Sequence, residues 1–312
     1  MIRNYDNTTR MRGGFPRVTK LGAVSPCGES TPFVFRDRLY RLELYDATRG
    51  VDPAAPVCAL IRNRETGEVL SRLAQDCYYH SLYQEGDTTF VLGTRSAGGS
   101  RAGDTIRIFE SRDLVHWTPG RTLFANPGWR YFNTSLTKGP EGYVLCLEAD
   151  RPQEAAGVPF TCFFARSKDL ITWEAPDPAL GYPRDRYIGG PWLRWSRGYY
   201  YLITVEELPC QRYTNYIQRT RDFRTWEIGY YNPLLMPDEA DRMISPYAHD
   251  LTPDLLREIR TGFLSSNSDV DLCGWRGKTL FTYNVGNQLG FYYLAEAVYD
   301  GSPDDFLAAN FE

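Results

Sequence analysis

The 312-residue sequence has few histidines, few lysines and no long apolar segment. Three residues are His, and only four of the 35 basic residues are Lys. The formal net charge is −4, and no run of basic residues could follow a phosphate backbone. This pattern excludes an ordinary nucleic-acid-binding surface.

Membrane and export signals are also missing from the sequence. No run of 18 apolar residues occurs, and the segment Met1 to Asp6 has no apolar core of signal-peptide length. We therefore expect a cytoplasmic protein with no membrane partner. The sequence gives no indication of its oligomeric state.

The cysteines are odd in number and widely scattered, and several of them lie inside apolar runs. They are Cys27, Cys58, Cys77, Cys146, Cys162, Cys210 and Cys273. No C-x-x-C pair occurs, as a thiolate metal site would require. The pattern predicts small buried thiols in a reducing compartment, with no metal and no cofactor.

A short pattern occurs three times, ending at Trp117, Trp173 and Trp226, which lie 56 and 53 residues apart. Each copy has Ser or Thr, then Asp two residues later, then an apolar residue and finally Trp. The Ser or Thr and Asp side chains are expected to cap a turn, with the apolar residue and Trp packing onto strands. A period of this length is typical of one four-stranded unit copied around an axis.

The strand pattern predicts an all-β fold, a single five-bladed β-propeller domain covering residues 1–312. Each blade opens on an inner strand, turns, and returns through a second, aromatic strand. The segment Phe15 to Leu21 has strand character without a local partner, and we expect it to close the ring. One short helix is predicted before blade 5, with Thr252 as N-cap and Pro253 in the first turn.

In a propeller, the starts of the inner strands and the ends of the second strands meet at one face of the central channel. The polar residues at these positions are Glu29, His80, Glu148, Glu206, Asp269 and Asp271. Glu148 and Glu206 each close an apolar run, where a carboxylate needs a partner or a polar channel. Carboxylates that converge on one pocket are suited to general acid and base chemistry.

Each candidate also has a purely structural interpretation. Glu148 and Glu206 could pair with a nearby Arg, and Asp269 and Asp271 could form an Asx turn. His80 could be a hydrogen-bonded structural imidazole. Glu29 lies in a loop where solvation is common.

Further residues are candidates for substrate binding. Aromatic rings near the channel-face loops could stack on a sugar; they are Trp129, Tyr131, Trp192, Tyr213 and Tyr247. Arg95 and Arg130 could belong to an anion pocket. The expected partner is an oligosaccharide or a glycoside.

The Trp-ending turns, together with the inner strand Pro32 to Phe35, resemble the five-bladed propeller glycosidases. These are glycoside hydrolase family 43 and its relatives in families 32, 117 and 130. The resemblance extends from about Ser25 to Asp300 and implies a propeller with glycosidase activity. It is carried mainly by structural motifs.

The chain departs from family 43 at all three acids that the resemblance would supply. Family 43 has Asp before the Pro of blade 1, where this chain has Thr31. A second family Asp opens blade 3, where Asn133 begins the segment. The family's E-G-P triplet is replaced here by Gly189, Gly190 and Pro191.

The sequence therefore predicts an exo-acting glycoside hydrolase that takes its carboxylates from other positions. Glu148, Glu206 and Asp269 are the first candidates, with Glu29, Asp271 and His80 in reserve, and the division of roles stays open. A glycoside phosphorylase and a carbohydrate-binding propeller without catalysis are the alternatives.

Overall fold

The computed structural model describes residues 15–46, 56–97, 100–157, 160–287 and 289–311. In these ranges the chain is nearly all β, with three short helices. No helix in the described part is long and apolar enough to span a membrane.

The strands are mostly five to ten residues long and are separated by short turns. They are β1 Val18–Ser25, β2 Ser30–Phe35, β3 Arg38–Asp46, β4 Val57–Asn63, β5 Val69–Leu73, β6 Cys77–Glu85, β7 Thr88–Arg95, β8 Thr105–Ser111, β9 Arg121–Ala125, β10 Arg130–Gly139, β11 Gly142–Arg151, β12 Thr161–Ser167, β13 Trp173–Glu174, β14 Ile188–Ser196, β15 Tyr199–Leu208, β16 Arg212–Thr220, β17 Trp226–Ile228, β18 Ser266–Trp275, β19 Lys278–Gly286 and β20 Tyr292–Tyr299. The helices are α1 Gln153–Ala156, α2 Pro253–Thr261 and α3 Pro303–Ala309.

The strands pair antiparallel in consecutive groups of four. Unit 1 is β2 to β5, unit 2 is β6 to β9, unit 3 is β10 to β13, and unit 4 is β14 to β17. Unit 5 contains β18 to β20, with the N-terminal strand β1 pairing antiparallel to β20. Units 4 and 5 are joined by one parallel pair, Tyr213 with Ser266.

The first strands of the units form the centre of the molecule. They pack in the order β2, β6, β10, β14 and β18, and β18 also packs against β2. Apolar side chains fill the spaces between units; Leu92 and Ile108 of unit 2, for example, share a cluster with Leu145 and Phe163 of unit 3. This arrangement is consistent with the predicted β-propeller.

The repeated turns have the predicted hydrogen bonds. In the first copy, the Ser111 hydroxyl accepts from the Leu114 N–H at 2.9 Å, and Asp113 Oδ1 accepts from the N–H groups of Val115 and His116. The apolar residue of each copy is buried and has a positive φ: Leu114, Leu170 and Phe223. Local side-chain capping therefore accounts for the repeat.

The inner strands of units 2 to 5 each carry a register shift near their first residues. The shifts lie between Tyr78 and Ser81, Tyr131 and Thr134, Gly189 and Trp192, and Ser268 and Asp271. Tyr79, Gly190 and Asp269 have left-handed backbones there, with φ of 54°, 52° and 51°. Such bulges turn a side chain away from the strand's normal alternation.

The predicted helix before unit 5 is confirmed as α2, and the Thr252 hydroxyl accepts from the Leu255 N–H. Helices α1 and α3 were not predicted. α3 follows β20, and its residues Phe306 and Leu307 are buried against unit 5. Both missed helices are shorter than two and a half turns, which gives little apolar periodicity to detect.

A buried ion-pair network joins unit 1 to unit 5. The Arg41 guanidinium, fully buried, contacts Glu43 at 2.7 Å and Glu296 of β20 at 2.9 Å. Arg62 also contacts Glu43, and Arg64 contacts Glu296. Although burial opposes ionisation of Glu43, the charges of Arg41 and Arg62 lower its pKa.

Candidate active site

Four carboxylates from three parts of the chain meet at the centre of the molecule, at the end where the inner strands begin. They belong to Glu29 in the turn before β2, Glu148 in β11, and Asp269 and Asp271 in β18. Glu29, Asp269 and Asp271 line one cavity of about 20 Å³ together with Asn133 and Gly190, which both hydrogen-bond to Glu148. We call this group of four the acidic pocket.

Glu148 is held by donors from two neighbouring units. Its Oε2 accepts from Asn133 Nδ2 at 3.0 Å and from the Gly190 N–H at 2.9 Å. The Glu148 side chain is buried. Burial raises its pKa to about 8, although both hydrogen-bond donors favour the ionised form. Glu148 is therefore a protonated carboxyl group at neutral pH.

Asp271 is the member of the acidic pocket that also borders the central channel. Its Oδ2 accepts from the Thr31 hydroxyl, and burial raises its pKa to about 7. Ser81 and Asp271 line both the small cavity and a channel cavity of about 390 Å³ between the inner strands, and Thr31 lines the channel cavity. Asp271 is thus close to its ionisation midpoint at neutral pH and faces space that can hold water.

Asp269 and Glu29 complete the acidic pocket. Asp269, at the bulge of β18, accepts from the Ser268 hydroxyl at 2.5 Å, and burial raises its pKa. Burial also raises the pKa of Glu29 well above its usual range, and the charges of Asp269, Glu148 and Asp271 raise it further. Among the described residues, no group donates a hydrogen bond to Glu29 Oε2.

A row of six aromatic rings, which we call the aromatic arc, passes beside the acidic pocket at Tyr79 and Tyr187. Its members are Tyr78, Tyr79, Phe132, Phe160, Tyr187 and Tyr213, and each ring contacts the next edge-on with centroids 4.8 to 5.6 Å apart. Burial and the charges of Glu148 and Asp269 raise the pKa of Tyr187, and burial with Glu29 and Glu148 raises that of Tyr79. These two hydroxyls therefore lie beside the acids.

One guanidinium approaches the acidic pocket near the Tyr78 end of the arc. Arg101 donates to the Tyr78 hydroxyl and to Asp46, both at 3.0 Å, and lies 4.7 Å from the centre of the Tyr78 ring. Its charge opposes the rise in the pKa of Glu29.

Two of the predicted acid or base candidates, Glu206 and His80, differ from these four acids in their surroundings. Glu206 is bound by the Arg186 guanidinium at 3.0 and 3.3 Å, which is the structural alternative for a strand-end carboxylate. His80 lines the same small cavity as Glu29, Asp269 and Asp271 and packs against Gly93, but burial lowers its pKa to about 4, so it is a neutral imidazole at physiological pH. We retain neither residue as a proposed catalytic group.

Most of the predicted binding residues make their contacts outside the acidic pocket. Tyr131 and Trp192 are buried in the apolar core, and Trp129 stacks on Tyr131. The Arg64 guanidinium lies 3.5 Å from the centre of the Tyr247 ring, and Arg130 binds Asp150. Arg95 is exposed at the end of β7, opposite Cys77. Only Tyr213 belongs to the aromatic arc.

Sequence reasoning missed Asn133, Tyr79, Phe132, Tyr187 and Arg101. A signal was present for the aromatic residues, because Tyr79, Phe132 and Tyr187 each lie near the start of an inner strand in units 2, 3 and 4. The bulges decide which aromatic residue faces the pocket: Tyr131 points into the core while Phe132 joins the arc. Within the described ranges, no three His, Cys, Asp or Glu side chains form a group able to hold a metal ion.

Similar solved structures include glycoside hydrolases of families 43 and 62. The family 62 α-L-arabinofuranosidase catalytic domain of Coprinopsis cinerea shares 10% identity at a TM-score of 0.63, covering 91% of this chain and 96% of that one. The Podospora anserina α-L-arabinofuranosidase, solved with cellotriose, shares 9% identity at a TM-score of 0.63, covering 92% and 97%. The family 43 protein BlXynB of Bacillus licheniformis shares 11% identity at a TM-score of 0.57, covering 91% and 57%.

No protein-family model and no curated protein matches the chain by sequence. At about 10% identity, the structural likeness concerns the fold, which agrees with the resemblance carried by the turns and inner strands.

Proposed function

We propose that the protein is an exo-acting glycoside hydrolase built as a five-bladed propeller whose ring is closed by β1. It cleaves a small oligosaccharide or glycoside, with Glu148 as proton donor and Asp271 as general base. One observation carries the proposal. Each position at which family 43 would place an acid is directly beside a carboxylate supplied by another strand.

The replacement at each of these positions has a geometric basis. Thr31 donates a hydrogen bond to Asp271, and Asn133 donates one to Glu148. A β-carbon at Gly189 would lie 3.4 Å from Glu148 Oε1. The carboxylates thus reach the same place from β11 and β18. These are not the sequence positions at which family 43 carries its acids.

Glu148 has the properties of a proton donor. Its carboxyl group is buried and protonated at neutral pH, and hydrogen bonds from Asn133 and Gly190 stabilise the carboxylate that remains after proton transfer. A raised pKa beside other acids is the pattern by which paired carboxyl groups divide acid and base roles.

Asp271 has the properties of a general base. The cavity it shares with Glu29 and Asp269, at about 20 Å³, has room for one water molecule. The Thr31 hydroxyl orients the Asp271 carboxylate. The charge of Asp269 raises the basicity of Asp271, and ionised carboxylates here would stabilise positive charge on the sugar ring.

The acidic pocket supports hydrolysis better than phosphorolysis. Phosphate would enter beside four carboxylates, whereas Arg95 lies exposed at the end of β7 and Arg130 is bound to Asp150. A propeller that only bound sugar would gain nothing from several buried acids whose raised pKa values cost folding free energy. Strongly shifted carboxyl groups in one pocket favour catalysis.

The deciding experiment is a screen of aryl glycosides with and without inorganic phosphate. We expect release of a monosaccharide from at least one glycoside at a rate independent of phosphate. Turnover that requires phosphate would favour the phosphorylase. Sugar binding without turnover of any glycoside would favour the binding module.

A further inference from the structure

We propose that the aromatic arc binds the leaving group of the substrate, and that this leaving group is an apolar aromatic aglycone rather than a second sugar. The inference rests on the proposed glycosidase function, because a leaving group is defined by the bond that is cleaved. It specifies the substrate class as aryl glycosides.

The arc lies on the side of the pocket from which a leaving group would depart. The proton donor must face the glycosidic oxygen, and Glu148 lies beside Tyr187 of the arc. Both groups lie against Gly189. A β-carbon at this residue would be 3.1 Å from the Tyr187 hydroxyl and 3.4 Å from Glu148 Oε1. Asp271, by contrast, faces the central channel.

The middle of the arc offers apolar surface. Phe132 and Phe160 carry no polar side-chain atom, are both partly exposed, and contact each other with centroids 4.8 Å apart. The nearby Arg130 guanidinium, 5.7 Å from the centre of the Phe132 ring, is bound through Nε and Nη2 to Asp150. A buried sugar needs hydrogen-bond partners for its hydroxyl groups, whereas an aromatic ring does not.

The backbone at the arc is held in an unfavourable conformation. Tyr79 and Phe160 have φ of 54° and 67°, which is rare for bulky residues. Each ring makes edge-on contacts with arc neighbours on both sides. Strain of this kind is retained where the side-chain position matters, and here it places both rings in the arc.

Binding of paired 1-thioglycosides tests the inference without requiring turnover. Each pair consists of a methyl and a phenyl thioglycoside of one sugar, measured by isothermal titration calorimetry against the full chain. We expect the phenyl member of at least one pair to bind about tenfold more tightly than its methyl partner. Phe160→Ala and the more conservative Phe132→Leu should each reduce that ratio about threefold or more.

Phe263→Ala is the matched control, because Phe263 is 65% exposed and lies outside the arc. This variant should keep the wild-type ratio. Equal affinities within every pair, no binding of any phenyl thioglycoside, or an unchanged ratio in Phe160→Ala would overturn the inference. Hydrolysis is measured separately in the glycoside screen, so a failed glycosidase proposal is distinguishable from a failed leaving-group assignment.

Discussion

The backbone N–H of Gly190 in unit 4 donates a hydrogen bond of 2.9 Å to Oε2 of Glu148 in unit 3. The bond exists because Gly190 adopts a left-handed backbone at the bulge of β14, with φ of 52°. The same residue lies against Oδ1 of Asp269 in unit 5, where a β-carbon would overlap the carboxylate. One glycine thus positions acids from both neighbouring units.

Gly190→Ala should lower kcat strongly while the protein stays folded. The new methyl group would displace the Asp269 carboxylate and disturb the N–H that holds Glu148. Gly198→Ala is the control, because Gly198 also has a positive φ, 84°, but a β-carbon there has no atom within 4 Å. Each variant puts Ala at a positive φ, which should cost about 1–2 kcal/mol in denaturant titrations, and displacement of Asp269 should add to the loss in Gly190→Ala. Equal activity of the two would contradict the positioning role of Gly190.

Glu148→Gln should reduce kcat about 10²- to 10⁴-fold on glycosides with poor leaving groups, and much less on activated ones. Protonation of the glycosidic oxygen matters less when the leaving group is already a weak base. Glu206→Gln provides the comparison, since Glu206 is bound by Arg186 outside the acidic pocket and its loss should leave kcat unchanged. Steady-state rates across a leaving-group series measure both effects. A large loss in Glu206→Gln instead would mean that the wrong carboxylate has been assigned.

Activity should show a bell-shaped dependence on pH with its maximum between about 7 and 8. Asp271 must be ionised to act as base, so kcat/KM rises as pH increases through its pKa of about 7. Glu148 must be protonated to act as acid, so the rate falls as pH increases through its pKa of about 8. In Glu148→Gln the alkaline limb should disappear from the kcat/KM profile. An alkaline limb that persists unchanged would assign the acid to another group.

Glu29→Gln should stabilise the protein at alkaline pH. Because the folded-state pKa of Glu29 is raised, its stabilising contribution is complete below the unfolded-state pKa and is lost as pH rises through the folded-state value. The variant should therefore match wild type near pH 4 and exceed it by about 1–2 kcal/mol near pH 8. Urea titrations at both pH values, with the exposed Glu174→Gln as control, measure the difference. A stability gain equal at both pH values would point to a cause other than ionisation.

Arg41→Ala should destabilise the protein by about 3–5 kcal/mol, because it leaves Glu43 and Glu296 buried with one partner fewer. Arg257→Ala removes a guanidinium whose side chain is 73% exposed, and its effect should stay within about 0.5 kcal/mol. Unfolding in guanidinium chloride compares the two. A small effect at Arg41 would show that the contact between units 1 and 5 depends on apolar packing instead.

Much of the fold could be predicted from short stretches of sequence. The turn ending at Trp117 depends on hydrogen bonds between Ser111, Asp113 and backbone groups at most three residues away, so its sequence pattern is sufficient. The inner strands were predicted in the right places, with openings at His80, Asn133, Pro191 and Asp269, although β6, β10, β14 and β18 each begin three residues before these positions. The bulges cause this difference, since they interrupt the alternation that marks a strand.

The site was harder to predict, and Glu148 and Glu206 explain why. Both end apolar runs in the second strands of neighbouring units, and the sequence alone treats them alike. In the folded chain Glu148 accepts hydrogen bonds from Asn133 and Gly190, while Glu206 accepts hydrogen bonds from the Arg186 guanidinium. The residues that make this difference lie 15 to 42 positions away from the two glutamates along the sequence.

Amino-acid order by itself determined the repeating four-stranded unit, because capped turns and alternating strands are stabilised by near neighbours along the chain. Only the tertiary structure decided which acids share a pocket and which rings border it. Those choices depend on left-handed residues at Tyr79, Gly190 and Asp269, and on donors from adjacent units, which become neighbours only once the units have packed.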